Sequence, residues 1–100
     1  MLVIAGTIRI DAAKRDEAAA AARLIMQETH KEKGNLAYAF SVDLSDPGLL
    51  YIFEKWESQE ALDFHFKTPH MATFQKTVAT LGVKEMKLEK FEIASVGSVF

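Results

Sequence analysis

The sequence predicts an α+β fold of the ferredoxin-like kind, β-α-β-β-α-β, with its second helix broken. Three observations carry this. Apolar residues recur at strand, helix, hairpin, helix and strand spacing in that order. A Thr68-Pro69 restart interrupts the second helical window. With 100 residues the chain has room for one domain, residues 1–100, and for neither a dinucleotide-plus-substrate pair of domains nor a (β/α)₈ barrel.

The elements follow in order. Residues 2–10 (LVIAGTIRI) are rich in β-formers and read as the first strand. Asp11 caps a helical window in which Ala18, Ala22, Ile25, Met26 and Thr29 form the inward stripe, while Lys14, Arg15, Glu17 and Glu28 lie off it. Lys31 and Lys33 suit the negative end of the helix dipole, and Gly34 is a stop residue. In residues 35–43, Leu36, Tyr38, Phe40 and Val42 share one face and Ala37, Ala39 and Ser41 the other. Ser45-Asp46-Pro47-Gly48 is turn chemistry, which makes 35–57 a hairpin. Ser58 caps a short helix, and Thr68 caps a second one that opens on Pro69. Met71, Phe74, Val78 and Leu81 are its buried stripe, and Gly82 ends it. Residues 84–96 form the last strand; the parity of its apolar residues changes between Met86/Leu88 and Phe91/Ile93, which predicts a β-bulge or a change of partner.

Composition excludes several function classes. Net charge is −2, so no basic excess exists to neutralise phosphates, and nucleic acid is not an expected partner. Cysteine is absent, which removes thiol nucleophiles, disulfides, Cys-ligated zinc and iron–sulfur clusters. No apolar run spans a bilayer and no basic leader precedes the first strand, so a cytoplasmic protein without a membrane partner is expected. No dinucleotide or phosphate-binding glycine loop, zinc-protease helix motif or serine elbow is present.

The strands carry more apolar surface than two helices can cover. Leu50, Ile52 and Trp56 lie on one face of the third strand and Tyr51 and Phe53 on the other; Leu2, Ile4 and Ile8 likewise oppose Val3 and Ala5 on the first. A second copy of the chain, most simply in a C2 homodimer, is the expected cover.

The remaining chemistry belongs to histidine, tyrosine, tryptophan and carboxylates. His65 and His70 bracket the helix break. His65 shares the apolar side with Ala61 and Leu62, and an imidazole against apolar walls suits a general base; a core histidine bonded to backbone is the plainer alternative. His70 is either a second catalytic group or an exposed first-turn residue. Five residues apart on a helix is about 140° of turn, so the pair makes a poor metal site and no metal is expected. His30 reads as a helix-dipole partner. Tyr38, Phe40 and Trp56 are candidate walls of a flat apolar ligand site, or ordinary core, and Tyr51 is on the strand face opposite Trp56. Glu54 lies on an otherwise apolar face and needs a partner, for which Arg9 or Lys90 is expected.

The run Phe53-Glu54-Lys55-Trp56-Glu57-Ser58-Gln59-Glu60-Ala61-Leu62, then His65 and Thr68-Pro69-His70-Met71, resembles the antibiotic biosynthesis monooxygenase superfamily. Lys33-Gly34-Asn35-Leu36-x-Tyr38, with Asp43 ahead of Asp46-Pro47, agrees. The resemblance spans nearly the whole chain and is nearest the quinol monooxygenase-like branch. It implies a dimeric α/β barrel of ferredoxin-like subunits and cofactor-independent oxidation of a small phenolic or quinol substrate by O₂. It would make His65 the base, with His70 or Tyr51 orienting the substrate and Trp56 or Phe40 as wall. Haem-degrading relatives use an Asn–Trp–His trio, where this chain has Gly6 or Thr7, His65 and Gln75. Relatives that isomerise a phosphorylated autoinducer-2 share the Gly34-Asn35-Leu36, Phe64-His65 and Thr68-Pro69-His70 segments, with Arg9, Lys55 and Lys67 as the cations at hand. A dimer that binds a small ligand without chemistry is the third reading.

Overall fold

The computed structural model describes residues 1–100. β1 (Leu2–Arg9) leads through a 3₁₀ turn (Ala12–Lys14) into α1 (Arg15–Thr29). The hairpin β2 (Asn35–Val42) and β3 (Leu49–Trp56) follows, then α2 (Gln59–His65), α3 (Pro69–Val78) and β4 (Glu85–Glu92). The sheet order is β2-β3-β1-β4 with every pair antiparallel, which is the ferredoxin-like arrangement.

Local chemistry explains the boundaries. Asp11 accepts from the Ala13 N–H and so caps the 3₁₀ turn rather than α1 itself. The Ser58 hydroxyl accepts from Ala61 N–H at the start of α2, and Thr68 does the same for Met71 at the start of α3, where Pro69 fills the position that needs no N–H. Gly34 takes φ of +90° to turn the chain from α1 into β2.

Two strand expectations are corrected. Leu36 does not share the face of Tyr38: the register shifts between Asn35 and Ala37, and the extra residue leaves Leu36 exposed. The last strand spans Glu85–Glu92 and carries no bulge, because its pairing with β1 runs unbroken from Arg9–Glu85 to Leu2–Glu92. Its two parities are simply its two faces. Met86 and Leu88 stand on the helix side and Phe91 on the other, as an edge strand paired only to β1 permits.

The helices cover one face. Leu2, Ile25, Tyr38, Ile52, Trp56 and Leu62 pack into one buried cluster, and Ile8, Ile10, Ala18, Leu50 and Leu81 into a second. On the opposite face Tyr51, Phe53 and Phe91 remain more than 40 % exposed within the single chain. The apolar surplus read from the sequence is thus real.

Candidate active site

A cavity of about 400 Å³, open along β4, lies between the helix layer and the sheet. Ile4 and Ile8 of β1, Tyr38 and Phe40 of β2 and Ile52 and Glu54 of β3 form its floor. His65, Phe66, Met71, Phe74 and Gln75 close the helix side, and Met86, Leu88 and Lys90 stand along β4. Most of the lining is apolar, as a site for a small flat molecule should be.

His65 is the pivot. It is the last residue of α2 and is 1 % exposed. The break after it is fixed by Thr68, whose hydroxyl donates to the His65 carbonyl while accepting from Met71. The imidazole is held among aromatic rings, with centroids 4.9 Å from Trp56 and 5.5 Å from Tyr38. Its Nδ1 lies 2.7 Å from Glu32 Oε2, and its Nε2 has no partner within the protein. The carboxylate fixes Nδ1 as the protonated nitrogen and leaves Nε2 with its lone pair on the ring that lines the cavity.

Glu32 was not visible in the sequence reading. It sits in the turn after α1, its N–H donating to the Thr29 carbonyl and its own carbonyl accepting from Asn35. An acidic residue is disfavoured at a helix C-terminus, and that misfit, between Lys31 and Lys33, is the signal that could have found it. Its side chain is only 5 % exposed. One oxygen accepts from both His65 Nδ1 and His70 Nε2, each at 2.7 Å, and the other, Oε1, is buried with no partner.

His70, in the first turn of α3, reaches this carboxylate from the side away from the cavity and is not among the lining residues. It shares the Glu32 oxygen with His65. His30 caps α1 and bonds the Tyr38 carbonyl through Nε2, a structural role. Tyr38 and Phe40 both line the cavity, in edge-to-face contact at 5.8 Å. Burial pushes the Tyr38 phenol well above its ordinary value, so it stays protonated. Trp56 stands behind the wall, fully buried, with its indole N–H donating to Glu54 at 2.9 Å. Tyr51 faces the other side of the sheet, and its hydroxyl donates to Asp43; orienting a ligand in this cavity is beyond its reach.

Glu54 has neither expected cation. Arg9 pairs with Asp46 and Lys90 donates to Gln59. Burial raises its carboxyl to about 7, against the lowering effect of the Trp56 N–H. No protein group donates to its second oxygen.

Glu32, His65 and His70 offer three ligand atoms within 4.8 Å of one another, a donor set that suits zinc or ferrous iron. The two contacts of 2.7 Å are hydrogen-bond distances. Ligands about 2.1 Å from one ion would sit roughly 3.0–3.4 Å apart. As it stands, the trio is a hydrogen-bonded network and fits a bound ion poorly.

A ferredoxin-like chain with an apolar cavity and a carboxylate-oriented histidine defines a small-molecule binding or catalytic domain. Residues 1–77 match the family model for the antibiotic biosynthesis monooxygenases, and the chain belongs to that family. It is similar to a Deinococcus radiodurans protein provisionally described as an antibiotic biosynthesis monooxygenase, with 27 % identity, a TM-score of 0.90, and coverage of 100 % of this chain and 99 % of that one. A Bacteroides thetaiotaomicron protein, described as a conserved protein of unknown function and a possible oxidoreductase, is 32 % identical over 92 % of this chain and 96 % of its own, at a TM-score of 0.84. The Bacillus subtilis protein YcnE, provisionally named a monooxygenase, is 28 % identical over 74 % of this chain and 78 % of its own. The Synechocystis protein sll1783, named only as uncharacterized, is 29 % identical over 93 % of this chain; the match spans 63 % of that longer protein. No helix of the chain is long and apolar enough to cross a membrane.

Proposed function

We propose that the protein is a cofactor-independent monooxygenase that oxidises a small phenolic or quinol substrate with O₂. The observation that carries this reading is His65, held by the buried Glu32 through Nδ1 and lining the apolar cavity with its other nitrogen unpartnered. The names of the family and of the Bacillus subtilis relative support the monooxygenase part of this reading.

His65 Nε2 takes the phenolic proton, and the imidazolium is stabilised by Glu32. The phenolate is electron-rich enough to pass one electron to O₂; the radical pair then combines at a ring carbon ortho or para to the oxygen. The peroxide formed loses the hydrogen of that carbon as a proton while the O–O bond breaks. One oxygen stays as a new carbonyl and the other leaves as water. Phenol plus O₂ gives quinone plus water, with no outside reductant. The apolar walls keep water from competing for the anion. A phosphorylated ketone is the less favoured substrate, because the one cation lining the cavity, Lys90, shares it with Glu54 and Glu89, and Arg9, Lys55 and Lys67 line no part of it.

The second copy belongs to the same proposal. A homodimer that buries Tyr51, Phe53 and Phe91 would convert two open sheets into one closed α/β barrel.

The test is O₂ uptake by purified protein over a panel of phenols, naphthols and hydroquinones. One O₂ consumed per substrate, with no peroxide released and no sensitivity to chelators, is expected. His65→Ala should lower the rate by about 10²- to 10⁴-fold. No uptake with any member of the panel, or full uptake by His65→Ala, would overturn the reading.

A further inference from the structure

The mechanism above uses one titratable group of the cavity and leaves a second idle. Glu54 is 7 % exposed, on an otherwise apolar floor. A carboxyl there is costly unless it is used or satisfied. The protein satisfies half of it: Trp56 donates to Oε1, and no protein group donates to Oε2, which opens on the cavity. Tyr38 lies directly across from Glu54 in the β2–β3 register, and its hydroxyl is likewise without a protein partner. Trp56 and Tyr38, two residues beside Glu54, are also the two rings nearest His65, with centroids at 4.9 and 5.5 Å. Three unpartnered polar groups, His65 Nε2, Tyr38 Oη and Glu54 Oε2, therefore belong to residues lining one apolar chamber.

We infer that Glu54, as a neutral carboxylic acid, is a second catalytic residue that handles the oxygen-derived protons while His65 handles the phenolic one. This rests on the monooxygenase reading and completes its proton count. Glu54 donates its proton to the terminal oxygen of the ring peroxide. The carboxylate then takes the proton from the ring carbon as the O–O bond breaks, which restores the acid. The hydroxide that departs receives the proton held on His65 and leaves as water. Each group ends as it began, and the balance is again substrate plus O₂ to quinone plus water. Tyr38, which stays protonated, can donate to the ring oxygen but does not relay.

The groups that face Glu54 are Trp56 on its own strand, Tyr38 from β2, His65 from α2 and Lys90 from β4, with Glu32 behind His65, while Glu89, opposite Ala5, has the parity of the outer face. β1 offers it only Ile4. No cation bonds the carboxyl, so nothing nearby compels it to ionise.

Glu54→Gln keeps the shape and an acceptor for Trp56 but cannot relay a proton; Glu54→Asp keeps the acid on a shorter stem. With a phenol that the wild type oxidises, Glu54→Gln should lose about 10²- to 10⁴-fold in kcat. Binding of the coloured, poorly oxidised probe 4-nitrophenol should change less than about threefold. Glu54→Asp should recover part of the rate. The wild-type kcat should fall above neutral pH, and Glu54→Gln should lack that limb. A variant within about twofold of wild type, or one with the same alkaline limb, overturns the role of Glu54 and leaves the monooxygenase reading standing. A wild type inactive on the whole panel overturns both.

Discussion

The buried Glu54 carboxyl should make the fold less stable as pH rises, and the size of the effect follows from its position. In the unfolded chain it titrates at an ordinary carboxyl value of 4.5, and in the folded protein at about 7. Between those values the native state holds a proton that the unfolded state has lost. Unfolding then releases a proton, so stability falls with rising pH. Stability from this group is fully present below the unfolded value and is lost as pH climbs through the folded one. The gap corresponds to about 3 kcal/mol at roughly 1.4 kcal/mol per pH unit. That is a large share of the total for a small domain, which is typically about 5–15 kcal/mol. The assay is urea unfolding of wild type and Glu54→Gln from about pH 5 to about pH 8. Protein concentration must be held constant, because dimerisation would couple to unfolding. The difference between the two proteins isolates the group: Glu54→Gln should gain on wild type by about 3 kcal/mol across that range. Parallel curves would refute the reasoning and mean that Glu54 is as well solvated in the folded protein as in the unfolded chain.

Two further outcomes test other parts of the molecule. Gly34→Ala places a Cβ 2.7 Å from that of Ala61, at a φ of +90° that L-residues rarely adopt. It should cost about 2 kcal/mol or more, read as a lower urea midpoint, and a variant within about 0.5 kcal/mol of wild type would contradict the turn as described. Phe53→Glu puts a charge on the uncovered sheet face, opposite Ala5 and Ala39. Sedimentation at micromolar concentration should show a dimer for wild type and a monomer for the variant, and a wild-type monomer would remove the second copy from the proposal.

Short-range and periodic features were legible in the sequence. Thr68 and Pro69 declared the helix restart because a cap and an N1 proline act within one turn. The inward stripe of α1 and both faces of β3 followed from fixed periods. Glu32 was not legible, because its link to His65 spans 33 positions and depends on how α1 and α2 lie relative to each other. Leu36 misled for a related reason: one inserted residue reverses every parity before it, and bulges leave little trace in composition. Glu54 is served by no cation but by a nearer donor, the indole two residues along the same strand face.

The two faces of β3 meet different surroundings. Leu50, Ile52, Glu54 and Trp56 turn inward, where Ile52 and Glu54 line the cavity and Leu50 and Trp56 pack in the core, while Leu49, Tyr51, Phe53 and Lys55 turn outward. On the proposed reading, a strand that serves a reaction on one side and an interface on the other cannot alternate apolar with polar in the usual way. That accounts for its near-continuous apolar run and for the one carboxyl that interrupts the inner face. The helices reach only part of the sheet: α1 packs on α3 and β2, and α2 on β3. Met86 and Leu88, which line the cavity from β4, are left 50 % and 40 % exposed within one chain. An oxygen-dependent step through a phenolate gains most from a site closed to water. Cover along β4 therefore bears on the chemistry as well as on stability, since the open side of the chamber lies along that strand.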